Sequence, residues 1–399
     1  MTDATDAPAT PEWRLDPSLT YLNHGGFGSC PRAVMEVAQG FRERFERSPM
    51  QFVLRELESL LDEARAAVAT FVGADAADLV FVPNATTGVN AVLASLSLQP
   101  GDELLVTDHG YSACRNALDH HARRLRSRVV IARVPFPLTG AAEITEAVLA
   151  AVTPRTRLAL LDHVSSPTAV VFPVGDLVRQ LEARGVDTLI DGAHAPGQVA
   201  LDLRALGATY YVANFHKWCC APKSAGMLHV RRDRQVQIRP VVIGHGANSP
   251  RSDRSRFFLE FDWTGTHDPA AVLSVPFALD YLGRLLPGGL PALQARNHAL
   301  ALQARHLIAA ALGIPLPCPD DLIGSMAALP LPDAPARASE SLYDALVRRH
   351  RIEAPVADWP ARPRRLLRIS AQLYNHLPQY EQLARAVSDE LGREASESP

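Results

Sequence analysis

The sequence predicts an α/β protein with a mostly parallel sheet in a large domain and a smaller α+β domain at the carboxyl end. Between residues 79 and 231, short apolar runs alternate with segments of helical pattern. These runs are apolar at nearly every position, which is typical of strands covered by helices on both faces. The 399 residues are enough for two domains, and the texture of the sequence changes after about residue 255.

The first part of the chain supplies the predicted sheet. Because ligands bind beyond the carboxyl ends of parallel strands, the residues that follow each strand are the candidate site. We predict strands at 79–83, 103–107, 128–134, 157–163, 186–191, 209–214 and 225–231. We predict helices at 88–96, 112–125, 144–152 and 174–184.

The second part of the chain reads as helices and one strand around a Pro-rich stretch at 315–321 and 329–339, which we interpret as a loop. The domain prediction is a disordered tail at 1–20, a large domain at 21–255 and a small domain at 256–399. The predicted elements after residue 255 are helices at 276–286, 290–312 and 339–350 and a strand at 365–370.

Composition excludes several classes of function. The formal net charge is -3, so neither a nucleic acid nor an acidic membrane surface is expected as the main partner. The N-terminus has no pattern of a secretory signal, and no apolar run is long enough to span a membrane. The five cysteines form no CxxC pair, which argues against a disulfide framework or a zinc site. We therefore expect a cytoplasmic protein.

A hydroxyl-rich turn follows the first predicted strand. Residues 84–88 read Asn-Ala-Thr-Thr-Gly and lead into a helix. Free N–H groups at a helix N-terminus, together with the Thr86 and Thr87 hydroxyls, could hold a phosphate group. Taken alone, simple capping of the helix is the better interpretation. The chain has neither the GK[ST] of a P-loop nor a GxGxxG motif, so a nucleotide site is disfavoured.

Two later strands are followed by further chemistry-bearing residues. Asp191 ends one strand, and Lys217 follows the next between His216 and Trp218. Singly, the acid could be a helix cap and the lysine a surface residue packed along the tryptophan. Together with the phosphate turn, they supply the anion site, the carboxylate for the pyridine nitrogen and the amine for a Schiff base that pyridoxal phosphate requires. The sequence therefore indicates pyridoxal 5'-phosphate as cofactor.

The same residues carry a family resemblance that spans most of the chain. The chain resembles the isopenicillin N epimerase-like branch of the class V aminotransferases, which are fold-type I pyridoxal-phosphate enzymes. The segments with this resemblance are LNHGGFGSCP (22–31), FVPNATTGVNAVL (81–93), TDHGYSACRNA (107–117), HVSSPTAVVFPV (163–174), IDGAHAPG (190–197), NFHKWCCAPKSAGMLHVR (214–231), FDWTGTHDP (261–269) and LRISAQLYN (367–375).

The resemblance implies roles for residues around the cofactor. Lys217 looks like the Schiff-base lysine and proton carrier, and Asp191 like the partner of the pyridinium nitrogen. An aromatic residue should stack on the ring, for which Tyr111 is our choice and His109 the competitor. The other implied cofactor contacts are His194 near the phenolic oxygen, and Thr86, Thr87 and His216 at the phosphate.

The resemblance also implies a subunit partner and a substrate site. The segment that includes Thr266 reaches the phosphate of the neighbouring subunit in this superfamily, so we expect a homodimer with shared active sites. Arg368 resembles the arginine that binds the substrate carboxylate. Asn23 and His24 are expected on the substrate side. The substrate itself is expected to be a small molecule, an amino acid whose side chain the sequence does not indicate.

The expected activity is an isopenicillin N epimerase-like reaction at the Cα atom of an amino acid, with Lys217, Asp191 and Tyr111 as catalytic residues. The alternatives are a C–S lyase of the hercynylcysteine sulfoxide or cysteine type, then an aminotransferase. The loop at 353–363 contains no cysteine, which makes the persulfide chemistry of cysteine desulfurases unlikely for this chain. A non-catalytic protein that keeps the cofactor is the rival from another class, and the set Lys217, Asp191 and Arg368 argues against it.

Overall fold

The computed structural model of the chain describes residues 12–336 and 340–397. Its centre is a seven-stranded sheet with the strand order β2-β8-β7-β6-β5-β3-β4. Strands β7, β6, β5, β3 and β4 run parallel, whereas β8 is antiparallel to both of its neighbours. All seven predicted strands overlap these strands. They are β2 Leu79–Val82, β3 Glu103–Thr107, β4 Arg128–Ala132, β5 Thr156–Asp162, β6 Asp187–Gly192, β7 Tyr210–Asn214 and β8 Gly226–Val230.

Helices cover both faces of this sheet, as the continuous apolar strands predict. Alternate strand residues feed two separate apolar cores, one between the sheet and α5, α6 and α10 and the other beneath α4, α7, α8, α12 and α13. The α-helices are α1 His24–Phe27, α2 Arg32–Arg47, α3 Pro49–Gln51, α4 Leu57–Val72, α5 Ala85–Ser95, α6 Ser112–Leu125, α7 Ala141–Ala150, α8 Val174–Glu182, α9 Leu203–Leu206, α10 Arg256–Phe261, α11 Ala270–Leu273, α12 Val275–Arg284, α13 Gly289–Leu312, α14 Leu342–His350 and α15 Leu377–Glu397.

A second, three-stranded sheet lies toward the carboxyl end. Its order is β11-β12-β9, fully antiparallel, with β9 at Met326–Leu331, β11 at Val356–Asp358 and β12 at Arg365–Ser370. The loop interpretation of the Pro-rich stretch is wrong at β9, which includes Pro330. An edge strand tolerates proline because one side of its backbone needs no partner.

The N-terminal segment joins this carboxyl-terminal region. Strand β1 (Thr20–Tyr21) pairs in parallel with β10 (Ile352–Glu353). Trp13 is buried and its indole nitrogen donates to the Ser29 carbonyl at 3.2 Å, so residues 12–20 pack on the fold although the sequence predicts a disordered tail there. The rest of that predicted tail, residues 1–11, lies outside the described residues. The division of the chain at residue 255 stays a prediction.

The length and apolar character of the helices bear on whether the chain could cross a membrane. Within the described ranges, no single helix has both the length and the apolar character needed to cross a bilayer. The helical segments Ala270–Arg284 and Gly289–Leu312 are long and apolar enough when taken together, but the chain bends by 72° between them.

Candidate active site

A cavity of about 530 Å³ opens beyond the carboxyl ends of β5, β6 and β7, where the parallel sheet predicts a ligand site. It lies against the N-terminus of α5 and the loop before α2. Most of the residues predicted from the sequence meet here. The residues that line it are Gly26, Phe27, Pro83, Asn84, Ala85, Thr86, Thr87, Tyr111, Asp162, Val164, Ser166, Asp191, Ala193, His194, Asn214, His216, Lys217, Lys223 and Ser224.

The N-terminus of α5 forms one wall. Asn84 caps the helix, since its Oδ1 accepts the Thr87 N–H at 2.9 Å and the Thr87 hydroxyl at 3.1 Å. Asn214, which sequence reasoning missed, accepts the Ala85 N–H at 2.9 Å. Capping and anion binding are therefore divided between neighbours. Among the described residues, the Thr86 N–H and hydroxyl donate to no protein acceptor, so they stay available to an anion.

His216 adds a second polar group to this wall. Its Nδ1 lies 3.3 Å from the Ala225 carbonyl oxygen, so Nδ1 carries the proton and Nε2 is the free lone pair. Burial, and then the charge of Lys217, lowers the pKa of His216 to about 4. A bound dianion beside the ring would raise that pKa, because it would stabilise the imidazolium.

Two carboxylates lie side by side at the ends of β5 and β6. Asp162 and Asp191 are direct partners in the parallel register, and both are buried. Asp191 accepts the Ala193 N–H at 3.0 Å and the Cys114 thiol at 3.2 Å. Burial and the neighbouring Asp191 raise the pKa of Asp162 well above its usual value, which favours its protonated form.

Sequence reasoning missed Asp162 and Cys114. The signal for Asp162 was present, because it is an acid near the end of an apolar run, but the predicted strand ran past it to residue 163. Cys114 reaches Asp191 from the first turn of α6, and no sequence pattern links that turn to β6.

Lys217 is partly buried and lines the cavity. Its Nζ lies 2.9 Å from His194 Nε2, and Trp218 Nε1 donates to His194 Nδ1 at 3.4 Å. A neutral imidazole that accepts at Nδ1 must carry its proton at Nε2, so His194 donates to Lys217 and the lysine is a neutral amine. Burial, and then the charge of Arg368, lowers the pKa of Lys217 to about 7. Burial also lowers the pKa of His194 well below its usual value.

The loop before α2 supports the lysine from behind. Gly28 has a φ of +68°, and a Cβ atom there would lie 2.0 Å from the His216 carbonyl oxygen. The sequence predicts His24 on the substrate side, but the structure buries it completely and it does not line the cavity. Its Nε2 lies 3.0 Å from the Lys217 carbonyl oxygen and its Nδ1 lies 2.8 Å from the Tyr374 hydroxyl. His24 therefore holds the backbone of the lysine segment.

Arg368 approaches from β12, behind Ser166. Its Nη1 donates to the Ser166 carbonyl oxygen at 2.7 Å and to the Ser166 hydroxyl at 3.1 Å, and its Nη2 donates to Asn23 Oδ1 at 3.3 Å. Burial lowers the pKa of Arg368 to about 10, so it is still a cation at neutral pH. Asn23 and Arg368 reach the cavity through Ser166 and do not form its lining.

The predicted site residues Tyr111 and Thr266 differ in whether they line the cavity. Tyr111 lines it and is 44% exposed, whereas its competitor His109 is buried, 2.8 Å from the Thr168 hydroxyl. Tyr111 is therefore the one of the two that can contact a ligand in the cavity, and its stacking on the ring stays a prediction. Thr266 is exposed and does not line the cavity of its own chain.

Known proteins resemble this chain in sequence and in fold. The family model for class V aminotransferases matches residues 20–344. The chain belongs to the class V aminotransferase family. It is 36% identical to an isopenicillin N epimerase of Streptomyces clavuligerus over 94% of this chain and 95% of that protein. It is 30% identical to a probable chloroplastic L-cysteine desulfhydrase of Arabidopsis thaliana over 94% and 83% of the two chains.

Solved structures confirm the predicted α/β fold type. A cysteine desulfurase of Escherichia coli superposes with a TM-score of 0.76 at 22% identity, over 96% of this chain and 97% of that one. A variant of the cystine C–S lyase C-DES, whose structure has glycine covalently linked to pyridoxal phosphate, gives a TM-score of 0.77 at 22% identity, over 93% and 96% of the chains. At this identity the likeness is one of fold.

Proposed function

We propose that this class V protein is a pyridoxal-phosphate-dependent epimerase that acts at the Cα atom of an amino acid. The match to the isopenicillin N epimerases, at 36% identity over nearly the whole of both chains, supports the reaction class. The cavity supports the chemistry, because an amine, a carboxylate pair and an anion-binding helix end open into one space.

The donor set fits pyridoxal phosphate. Thr86 offers an N–H and a hydroxyl at the N-terminus of α5, and His216 lies beside them, so these residues would hold the phosphate. Asp191 has only two donors, the Ala193 N–H and the Cys114 thiol, among the described residues, which leaves it free to accept a ring N–H. When bound, the cofactor supplies an electron-withdrawing ring that stabilises negative charge on the carbon beside the substrate nitrogen.

The chain's own residues would then bind, orient and deprotonate the substrate. Arg368 binds the α-carboxylate and thereby fixes the direction of the Cα–H bond. Lys217, as a neutral amine, takes the Cα proton, and Asp191 holds a proton at the ring nitrogen. Asp191 and His194 are buried, and the low dielectric around them would strengthen these charge interactions.

The observation that favours epimerisation is that a second proton carrier, Tyr111, lines the same cavity as Lys217. Lys217 follows β7 and Tyr111 follows β3, and in the sheet β6 and β5, the strands of the two acids, lie between them. Inversion at carbon needs one group to remove a proton and another to return it from the other side. Elimination of a β-substituent needs only the first.

A C–S lyase is the second candidate, supported by the likeness to L-cysteine desulfhydrases. None of the five cysteines lies in the loop at 353–363, so a persulfide-forming lyase is disfavoured while a direct elimination of sulfide is not.

We also propose a homodimer with shared active sites. Thr266 is exposed away from its own cavity, which suits a residue that reaches the phosphate of a neighbour. A neighbouring cavity of about 440 Å³ is flanked by Val241 and Val242, which are 51% and 57% exposed and would be covered in a dimer.

The test is incubation of the holoenzyme with single enantiomers of candidate amino acids in D₂O. Cα deuterium with loss of optical purity supports the epimerase. Pyruvate with ammonia supports the lyase, and conversion to the pyridoxamine form supports an aminotransferase. Tyr111→Phe should slow racemisation at least ~100-fold while leaving any elimination intact, and Tyr281→Phe, whose hydroxyl bonds Glu12 outside the cavity, is the matched control. Retained racemisation by Tyr111→Phe would remove Tyr111 as the second acid.

A further inference from the structure

The guanidinium of Arg368 has no anionic partner among the described residues. Its hydrogen-bond partners are the Ser166 carbonyl, the Ser166 hydroxyl and the Asn23 amide oxygen, which are all neutral. Its Nε is buried without a partner. Nε and Nη2 share one edge of the planar group, so this edge offers two N–H donors to a carboxylate.

Asn23 lies between this cation and the carboxylate of Glu353. The Asn23 side chain accepts from Arg368 Nη2 through Oδ1 at 3.3 Å and donates through Nδ2 to Glu353 Oε1 at 3.3 Å. An amide has one accepting end and one donating end. A carboxylate can only accept, so Glu353 fixes the oxygen of Asn23 toward the arginine.

The backbone holds these residues in register. Tyr21 and Glu353 are direct partners in the β1–β10 pair, and the Leu22 N–H donates to the Glu353 carbonyl at 3.0 Å. The Arg368 N–H donates to the Pro355 carbonyl at 2.9 Å, two residues beyond Glu353. The Tyr21 hydroxyl donates to the Asn23 carbonyl at 2.9 Å. Hydrogen bonds thus connect three separate parts of the chain, at residues 21–23, 353–355 and 368.

We propose that Glu353 is a positioning residue for substrate binding, which acts through Asn23 to hold Arg368 in the orientation that receives the α-carboxylate. The inference rests on the proposed function, because it assumes that Arg368 binds the substrate carboxylate. A direct Glu353–Arg368 ion pair would occupy the fork and compete with the substrate. The Asn23 amide, which Glu353 orients, holds Nη2 of Arg368 in place. The edge formed by Nε and Nη2 of Arg368 stays open to the substrate carboxylate.

The experiment compares two probes that differ only by a carboxylate. L-Alanine and ethylamine share the amine and the methyl group, and both are small enough for a cavity of about 530 Å³. Dissociation constants are measured from the change in visible absorbance of the holoenzyme, and the melting temperature of each variant is recorded. Glu353→Gln keeps the shape but lets the amide at residue 23 turn either way.

We expect Glu353→Gln to weaken L-alanine binding about tenfold and to leave ethylamine binding and the melting temperature unchanged. Asn23→Asp, which places a carboxylate against the arginine, should weaken L-alanine binding further and also spare ethylamine. Thr20→Val is the matched control on the same strand pair, since the Thr20 hydroxyl bonds Gln382 and not this network.

Unchanged L-alanine binding in Glu353→Gln would overturn the role of Glu353 and leave the proposed function standing. Equal weakening of both probes with a lower melting temperature would make Glu353 a structural residue and would also overturn it. If the unaltered holoenzyme binds L-alanine no better than ethylamine, Arg368 does not hold the carboxylate, and the proposed function and this inference both fall.

Discussion

The two ends of the cavity are opposite in charge and in how that charge is balanced. At the sheet end, Asp162 and Asp191 lie together, and Asp191 is held by an N–H and a thiol. At the other end, behind Ser166, Arg368 is a partly buried cation whose hydrogen-bond partners are all neutral, among the residues that the structure describes. The acid end belongs to the central sheet, while the cationic end is built from β12 and the N-terminal loop.

The difference bears on Lys217, which both ends influence and whose pKa falls to about 7. Burial lowers that pKa most and the charge of Arg368 lowers it further, whereas the charge of Asp191 raises it. A zwitterion has the complementary polarity, because its carboxylate suits the arginine end. Under the proposed function, this contrast would orient an amino-acid substrate and would leave a large share of the base unprotonated near neutral pH.

The largest expected effect comes from removing the residue between the two ends. Lys217→Ala should slow deuterium exchange at the Cα atom of L-alanine by ~10²–10⁴-fold. It should also prevent covalent attachment of the cofactor to the chain. Borohydride reduction followed by peptide mass spectrometry reads the attachment site. Lys223→Ala is the control, because Lys223 also lines the cavity but donates to the Gly28 carbonyl. Attachment at Lys223 in the unaltered protein would contradict the assignment.

The cationic end is tested by a change that keeps its charge. Arg368→Lys retains the cation but loses the planar fork, so kcat/KM should fall about ten- to a hundredfold, mostly through KM. Steady-state exchange kinetics with L-alanine measure the split. Arg364→Lys, at an exposed position just before the same strand, should leave both constants unchanged. A fall in kcat alone would show that Arg368 acts on the reaction step and not on binding.

The pH dependence shows whether the two ends compete for the lysine. The neutral amine is the form that reacts with added cofactor, so reconstitution of the apoprotein should speed up as pH rises, with a midpoint near pH 7. Arg368→Met removes a charge that lowers the pKa of Lys217, so the midpoint should move to higher pH. Stopped-flow absorbance between pH 5.5 and about 9 follows the rate, and an unmoved midpoint would show that the arginine is too well screened to act.

The smallest expected effect is at the thiol of the acid end. Cys114→Ala removes one donor to Asp191 and should weaken cofactor binding about fivefold. Equilibrium titration of the apoprotein gives the dissociation constant. Cys318→Ala removes a buried thiol outside the cavity, so it should cost stability without changing cofactor affinity. Equal losses of affinity in both variants would assign the effect to packing.

The sequence predicted most of the sheet because each strand is an unbroken apolar run. It failed where a local pattern misleads. Pro330 made β9 read as a loop, since the sequence does not tell an edge strand from an inner one. His24 was expected at the substrate, because a histidine in a glycine-rich loop looks the same whether it faces a ligand or the carbonyl of Lys217.

By itself the sequence determined the family, the α/β class and the identities of Lys217, Asp191 and Arg368, because each is a chemistry-bearing residue at a strand end or within a specific motif. Only the tertiary structure decided their states. The raised pKa of Asp162, the lowered pKa of Lys217 and the relay from Glu353 through Asn23 to Arg368 depend on groups far apart in the chain. Burial and distance set those states, and neither can be read from the order of residues.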